Sequence, residues 1–128
     1  MTRYADRVQV LRAHAAILAA TGGIPGIRDS GLLDSAVATP AMTWANEDLY
    51  PSVPAKAGAL AFSLIANHPF LDGNKRIGYV MAVHFLQTNG WELRCGIDEM
   101  EQVILSVAAG TMDRDELIER FTRHSHER

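Results

Sequence analysis

Two strongly apolar segments in the middle of the chain, separated by a short polar stretch, constrain the fold most. They run from Ala55 to Asn67 and from Asn74 to Asn89, and Pro69 interrupts the helical pattern between them. A helix that is apolar on nearly every side has to be buried. We therefore predict that these two helices form a buried central pair and hold the polar loop between them.

Weaker signals predict further helices around this pair. Apolar residues recur at helical spacing near the N-terminus, Asp29 can cap a short helix, and Asp98 and Asp113 each precede a glutamate at capping-box spacing. The predicted boundaries are Tyr4 to Ala20, Leu32 to Ala38, Asp98 to Ala109 and Asp113 to Phe121. No run alternates between apolar and polar residues as a half-buried strand would. We expect an all-α fold, a compact single domain over residues 1–128 with about six helices around the central pair.

Three segments lack a helical pattern. Residues 42–53 are compatible with a loop, a short helix or a flap over a cleft, in which Trp44 and Tyr50 either hold a target segment by strand-like pairing or anchor the loop. Residues 91–94 are expected to be a short extended connection. The tail of residues 124–128 is expected to fray, because chain ends are poorly ordered unless something holds them.

The composition limits the classes of function. The formal net charge of −3 argues against a nucleic-acid surface, which is normally basic. No apolar run approaches the roughly 18–20 residues of a membrane span, and the N-terminus lacks the apolar core of a signal peptide. We therefore expect a cytoplasmic protein without nucleic-acid or membrane partners. Cys95 is the one cysteine, so it cannot form an internal disulfide, and we interpret it as a bystander thiol.

The polar loop concentrates the candidate chemistry. His68 follows a buried helix, and histidine side chains titrate near neutrality, as a general base requires. Asp72 offers a lone carboxylate, which suits a cation such as Mg²⁺ that prefers oxygen ligands. Gly73 can adopt backbone torsions that let successive N–H groups curl into an anion-binding nest.

The start of the next helix completes an anion site. Asn74, Lys75 and Arg76 open this helix, whose unpaired N–H groups and dipole favour a phosphate. Lys75 adds a point charge, and Arg76 adds a bidentate fork for phosphate oxygens. A base, a metal carboxylate and an anion site are the parts that phosphoryl or nucleotidyl transfer needs. Taken singly, the residues have a simpler interpretation, in which His68 caps the preceding helix and Asp72 caps the next one.

Other polar and aromatic residues receive structural interpretations. We interpret Phe70 and Leu71 as anchors that pack the loop on the core. His14 and His84 lie among apolar residues and are expected to be hydrogen-bonded histidines of the core or the cleft. For Arg28, an ion pair with its neighbour and a place in the lining of the cleft both remain open.

The stretch 68–76 reads His-Pro-Phe-Leu-Asp-Gly-Asn-Lys-Arg and resembles the signature of the Fic/Doc family. Segments 22–33, 47–51 and 85–90 fit the same family, so the resemblance covers most of the chain. In the family branch that transfers AMP, a glycine usually follows the asparagine of the signature. Lys75 stands at that position here, as in the branch of the Doc (death-on-curing) toxins.

This resemblance implies a Fic/Doc-type helical bundle and a role for each residue of the signature. His68 would deprotonate a hydroxyl group of a target protein, and Asp72 would hold Mg²⁺. The phosphates of ATP would be bound by Gly73, Asn74 and Arg76.

Lys75 distinguishes the reactions that the resemblance allows. Its side chain would obstruct the ATP pose of the AMP-transferring branch and add a charge, which goes with an inverted nucleotide and transfer of the γ-phosphate. We therefore expect a toxin of a type II toxin–antitoxin system that phosphorylates a protein hydroxyl, on elongation factor Tu, and so arrests translation. Its partner would be a small antitoxin whose C-terminal segment folds as a helix in a groove of the toxin. The alternatives are transfer of AMP to a protein target and a non-catalytic, partner-binding module.

Overall fold

The computed structural model describes residues 1–128 and is built mainly from six helices. They are α1 (Arg7–Thr21), α2 (Ser30–Ala38), α3 (Val53–Ala66), α4 (Asn74–Thr88), α5 (Ile97–Ala108) and α6 (Arg114–His124), with a 3₁₀ turn (Thr39–Ala41) after α2. Two antiparallel pairs of short strands complete the fold: β1 (Thr43–Trp44) with β2 (Glu47–Asp48), and β3 (Trp91–Leu93) with β4 (Ser125–Glu127). The all-α class with about six helices is confirmed.

Helices α3 and α4 form the predicted central pair. Only Val53, Phe62 and Ala66 of α3 escape full burial, and this helix packs mainly against α4 and α6. Gly78 of α4 lies so close to α3 that a Cβ atom built there would come within 2.6 Å of Cγ1 of Ile65. The missing side chain at Gly78 therefore lets the two helices approach each other closely.

One hydrophobic cluster draws on all six helices. Its fully buried members include Val10 of α1, Leu33 of α2, Leu64 of α3, Ile77 and Leu86 of α4, Val103 of α5, and Leu117 and Phe121 of α6. Burial of each such side chain stabilises the fold by about 1.5–3 kcal/mol relative to exposure. The helices are therefore held by one shared core. None of them combines the length and the hydropathy that crossing a membrane requires.

Caps set the helix boundaries, with one difference from the sequence prediction. Asp29 caps α2, and Asp113 begins α6 with the predicted capping box. The capping box predicted at Asp98 is wrong, because α5 begins at Ile97 and its N-cap is Gly96. Asp98 instead lies in the first turn, where the helix dipole favours a negative charge.

The C-terminal tail is ordered, so the prediction that it frays is wrong. Helix α6 continues to His124, and β4 then pairs with β3 along its whole length, with Leu93 opposite Ser125 and Trp91 opposite Glu127. The extended connection expected at residues 91–94 supplies the pairing edge. An unpaired strand edge offers N–H and C=O groups to any nearby segment, and here the chain end takes them.

Residues 42–53, for which the sequence allows a loop, a short helix or a flap, contain a β-hairpin. Ala45 and Asn46 form its turn with φ values of 52° and 66°, both positive as in the type I′ turns of two-residue hairpins. Both strands are exposed, and Trp44 is 78% exposed.

A buried lysine holds the base of this hairpin. Lys56 of α3 is only 2% exposed, and its Nζ donates to Oδ2 of Asp48 at 3.0 Å and to the carbonyl oxygen of Tyr50 at 2.5 Å. A lysine is rarely buried unless it is paired, because an uncompensated charge in the interior is costly. Lys56 therefore fastens the end of β2 to α3.

Candidate active site

The loop between α3 and α4 is paired with the segment that precedes α2. The main-chain N–H groups of Arg28 and Asp29 donate to the carbonyl oxygen of Pro69, at 2.8 and 3.1 Å. The N–H group of Leu71 donates in return to the carbonyl oxygen of Gly26, at 3.0 Å. The loop is thus supported by a neighbouring backbone, much as a strand is supported in a sheet.

The side chain of Arg28 fixes the backbone at His68. Its Nε donates to the carbonyl oxygen of His68 at 2.6 Å, and its Nη2 donates to that of Asn67 at 2.9 Å. His68 has a φ of 54°, in the left-handed region that side chains other than glycine rarely adopt. Arg28 therefore stabilises an unfavourable backbone conformation at the candidate base, a role that differs from both roles expected for it.

Three side chains hold the loop from the inside. The amide of buried Asn74 accepts from the N–H group of Phe70 at 3.0 Å and donates to its carbonyl oxygen at 2.9 Å. The ring of Phe70 is buried and stacks on the imidazole of His14, with 3.7 Å between centroids. Nε2 of His14 lies 2.8 Å from the carbonyl oxygen of Asp72. The core roles expected for Phe70 and His14 are confirmed, while the Asn74 side chain is engaged within the loop and leaves only its main-chain N–H group for a ligand.

The carboxylate of Asp72 is prepared for a positive ligand. Oδ2 accepts from the N–H group of Ile24 at 3.0 Å, and Oδ1 accepts from that of Gly73 at 2.8 Å. These two hydrogen bonds, with a smaller contribution from the positive charge of Arg76, hold the pKa of Asp72 below its ordinary value of 3.8. Asp72 is therefore ionised at neutral pH, and each oxygen keeps a lone pair for a cation.

Gly23 makes room for this carboxylate, a role that the sequence did not reveal. A Cβ atom built at Gly23 would lie 2.9 Å from Oδ2 of Asp72 and 2.7 Å from Cδ2 of Leu18. Its φ of 134° is also one that other residues rarely adopt. The only sequence signal is a glycine-rich turn, which any chain reversal could explain.

The N-terminus of α4 is open to a ligand. Its N-cap is Gly73, which has a φ of 81° and no side chain to accept from the first turn. The main-chain N–H groups of Asn74, Lys75 and Arg76 therefore have no intrahelical partner. These groups and the helix dipole make this helix end attractive to an anion.

The two cations of the site differ in how they are held. Nη1 of Arg76 donates to the carbonyl oxygen of Gly22 at 3.1 Å and to Oγ1 of Thr21, and Nη2 lies 3.7 Å from Oδ1 of Asp72. These contacts fix the guanidinium against the end of α1 and leave Nε without a protein partner. Lys75 is exposed and makes no hydrogen bond or ion pair, so its charge is available to a ligand.

A cavity of about 360 Å³ gathers all the predicted site residues. It is lined by His68, Asp72, Gly73, Asn74, Lys75 and Arg76, together with Ile65, Leu71 and Ala108. A larger, mostly apolar groove of about 590 Å³ between α4 and α5 shares Lys75 and Arg76 with this cavity. The candidate base, the carboxylate and the open helix end thus face one concave space.

Three further residues were given structural roles from the sequence. Two of these predictions are wrong, and the third residue lies outside the cavity. Leu71 lines the cavity and is 50% exposed, so the prediction that it anchors the loop in the core is wrong. His84 is exposed on α4, so its predicted place in the core or cleft is also wrong. Cys95 lies outside the cavity, and burial together with Glu99 raises the pKa of its thiol, which disfavours a role as nucleophile.

Comparison with known proteins agrees with this geometry. The model of the Fic/DOC family matches residues 4–86, a span that includes α1 to α3, the whole loop and all but the last two residues of α4. The chain belongs to the Fic/DOC family. As a member of this family, it is 42% identical over 119 residues to "Toxin Doc" of Mycolicibacterium smegmatis, and the match covers 91% of this chain and 89% of that protein. The resemblance first noted at residues 68–76 is therefore confirmed over most of the chain.

Proposed function

We propose that this Fic/DOC protein is a Doc-like toxin that transfers the γ-phosphate of ATP to a hydroxyl group of a protein in the cytoplasm. The proposed target is elongation factor Tu, whose phosphorylation arrests translation. The observation that carries the proposal is the gathering of an exposed histidine, an ionised carboxylate and an open helix N-terminus around one cavity. The likeness to Toxin Doc supports the role as a toxin, and membership of the family supports an ATP-using transferase.

In this proposal His68 accepts the proton of the target hydroxyl. Its side chain is exposed at the cavity, and Arg28 fixes the backbone that carries it. A base acts well when it is held within hydrogen-bond reach of the proton that it removes. The proton passes from the serine or threonine oxygen to an imidazole nitrogen while that oxygen attacks the γ-phosphorus. The bond from the γ-phosphorus to the bridging oxygen breaks, and ADP leaves with its electron pair.

Asp72 would hold Mg²⁺. Its two N–H partners occupy one lone pair on each oxygen, so the carboxylate can still join phosphate and water oxygens around the ion, the ligand set that Mg²⁺ adopts in nucleotide sites. When bound, Mg²⁺ neutralises part of the charge on the phosphates. The lowered pKa keeps Asp72 ready for this role at neutral pH.

The start of α4 would bind the phosphates. The N–H groups of Asn74, Lys75 and Arg76 point out of the helix end, and Nε of Arg76 is unpaired. Phosphoryl transfer depends mainly on positioning and on neutralising charge that spreads over the phosphate oxygens. A fixed guanidinium and a fixed helix end supply both without rearrangement.

Lys75 favours phosphate transfer over AMP transfer. Its side chain is exposed and unpaired at the boundary between the cavity and the apolar groove. A cation at this position can contact a terminal phosphate, whereas it takes up the space that a glycine would leave for an AMP-transferring pose of ATP. Transfer of AMP is the outcome that would show this interpretation of Lys75 to be wrong.

The apolar groove between α4 and α5 is the proposed seat of the antitoxin. It is lined by Tyr79, Ile97, Met100, Ile104 and Leu105, of which Ile97 is the most exposed. An amphipathic helix can lay its apolar face into such a groove. Because the groove shares Lys75 and Arg76 with the cavity, a helix seated there would obstruct the site.

The proposed function is tested in a cell-free translation reaction to which the protein is added. The protein is expected to stop synthesis, and His68→Ala is expected to leave synthesis intact. His84→Ala, an exposed histidine of α4 outside the cavity, serves as the matched control and is expected to stop synthesis like the parent. Arrest by the His68→Ala variant would refute the catalytic proposal.

A further inference from the structure

A second cluster of reactive side chains lies outside the cavity of the candidate active site. Cys95 precedes α5, Glu99 lies in the first turn of α5, and His124 is the last residue of α6. One ligand atom of each residue, the thiol sulfur, a carboxylate oxygen and an imidazole nitrogen, lie within 4.8 Å of one another. The start of α5 and the end of α6, which are distant in sequence, thus bring three different metal-binding groups together.

Two separations between ligand atoms in this cluster match those of a tetrahedral zinc site. Sγ of Cys95 lies 3.4 Å from Oε2 of Glu99, and Nε2 of His124 lies 3.4 Å from Oε1 of the same carboxylate. Zinc ligands at about 2.0–2.3 Å from the metal lie roughly 3.3–3.6 Å from one another in a tetrahedron. The Glu99 side chain is 48% exposed, so it has room to turn one oxygen toward an ion.

The imidazole of His124 lacks the partner that a buried nitrogen requires. Its Nε2 is shielded from solvent and makes no hydrogen bond, because the nearby Glu99 oxygen lies outside hydrogen-bond geometry. Buried polar atoms in folded proteins almost always have a partner, so the unpartnered Nε2 favours a ligand at this position. The backbone at this point is fixed, since the N–H group of Arg94 donates to the carbonyl oxygen of His124 at 2.8 Å.

We propose that Cys95, Glu99 and His124 bind one Zn²⁺ ion, with water as the fourth ligand. Thiolate and imidazole favour Zn²⁺ over Mg²⁺ or Ca²⁺, which prefer sites made of oxygen ligands alone. Binding replaces the S–H bond of Cys95 by an S–Zn bond and releases the thiol proton to solvent. The ion joins the start of α5 to the end of α6, beside the β3–β4 pair, and takes no part in the reaction proposed at His68.

The test titrates the metal-free full-length protein with Zn²⁺ and follows two readouts. At about 100 times the Kd, Zn²⁺ is expected to raise the Tm by about 5–10 °C. It is also expected to slow the reaction of Cys95 with a thiol reagent severalfold, because a coordinated thiolate is shielded. Cys95→Ser is expected to lose the Tm shift, and His124→Gln to lose both effects.

Controls separate this site from chance binding and from unfolding. His126→Gln removes a nearby exposed histidine outside the cluster and is expected to retain both effects. The Tm of each metal-free variant shows that it folds. Co²⁺ in place of Zn²⁺ gives an absorption band from the metal–thiolate bond, and only Cys95→Ser and variants that bind the metal poorly lose this band. The proposal is overturned if Zn²⁺ changes neither readout, or if Cys95→Ser and His124→Gln bind Zn²⁺ like the parent, which would indicate an adventitious ion only.

Discussion

The loop of residues 67–76 and the β1–β2 hairpin are both irregular in sequence, but the molecule holds them very differently. The loop is tied on every side, by the side chains of Arg28, His14 and Asn74 and by backbone pairing with the segment before α2. The hairpin is exposed on both strands and is fastened at its base by Lys56. Group-transfer chemistry needs fixed geometry, whereas recognition of a partner benefits from a segment that can adapt.

The largest expected effect comes from cutting the loop's internal hydrogen bonds. Asn74→Ala leaves the buried N–H and C=O groups of Phe70 without side-chain partners. Unsatisfied buried groups of this kind destabilise a protein by about 1–3 kcal/mol each, so urea unfolding should show a loss in this range and transfer activity should fall. Asn46→Gly in the hairpin turn is the matched control and should stay within about 0.5 kcal/mol, since glycine tolerates positive φ. Equal stability of the two variants would contradict the claim that the loop is held more firmly than the hairpin.

A smaller effect is expected when the support of His68 is weakened without removing a charge. Arg28→Lys loses the fork that reaches the carbonyl oxygens of His68 and Asn67. We expect kcat to fall about tenfold, equivalent to about 1.4 kcal/mol of transition-state stabilisation, with an unchanged Kd for ATP. Arg7→Lys, at a half-buried arginine that pairs with Asp34 away from the cavity, is the matched control and should keep full activity. A parallel loss of ATP affinity would assign Arg28 to binding instead of positioning.

Releasing the hairpin should cost less stability than disturbing the loop. Lys56→Met removes the buried partner of Asp48, whose side chain is 50% exposed and can be solvated instead, so the main loss is the hydrogen bond to the carbonyl oxygen of Tyr50, about 1 kcal/mol. Amide hydrogen exchange should accelerate in residues 43–48 and stay unchanged in residues 67–76. Faster exchange in both segments would mean that the two regions are mechanically coupled, against the account given above.

The smallest effect on stability is expected at the tip of the hairpin. Trp44 is 78% exposed, so Trp44→Ala should change the free energy of unfolding by no more than about 0.5 kcal/mol. If the hairpin recognises the protein target, the KM for that target should rise while the KM for ATP stays constant. A change in the KM for ATP alone would remove the hairpin from target recognition.

Features encoded locally could be predicted from the sequence. The burial of α3 and α4 follows from segments that are apolar on nearly every side, and the start of α6 follows from the spacing of Asp113 and Glu116. The candidate site residues of the cavity lie between His68 and Arg76, so one loop between two buried helices brings them together.

Features that depend on contacts between distant segments could not be predicted. Arg28 acts on residues 39 and 40 positions away, and Gly23 acts on Asp72, which is farther still along the chain. Nothing next to either residue in the chain indicates these contacts. The pairing of β4 with β3 joins two short segments whose own sequences are too weakly patterned to be identified as strands. His84 was misplaced because α4 carries apolar residues on its exposed face as well, including Tyr79 and Val80.

The central claim is tested most directly by the intact mass of elongation factor Tu after incubation with this protein, ATP and Mg²⁺, beside the same reaction with His68→Ala. The account predicts that elongation factor Tu gains the mass of one phosphate in the reaction with the parent protein and gains no mass in the reaction with His68→Ala. A gain of AMP would contradict the assignment of Lys75 to phosphate transfer, and an unchanged mass would contradict the choice of target. The same gain with His68→Ala would contradict the claim that the loop carries the catalytic base.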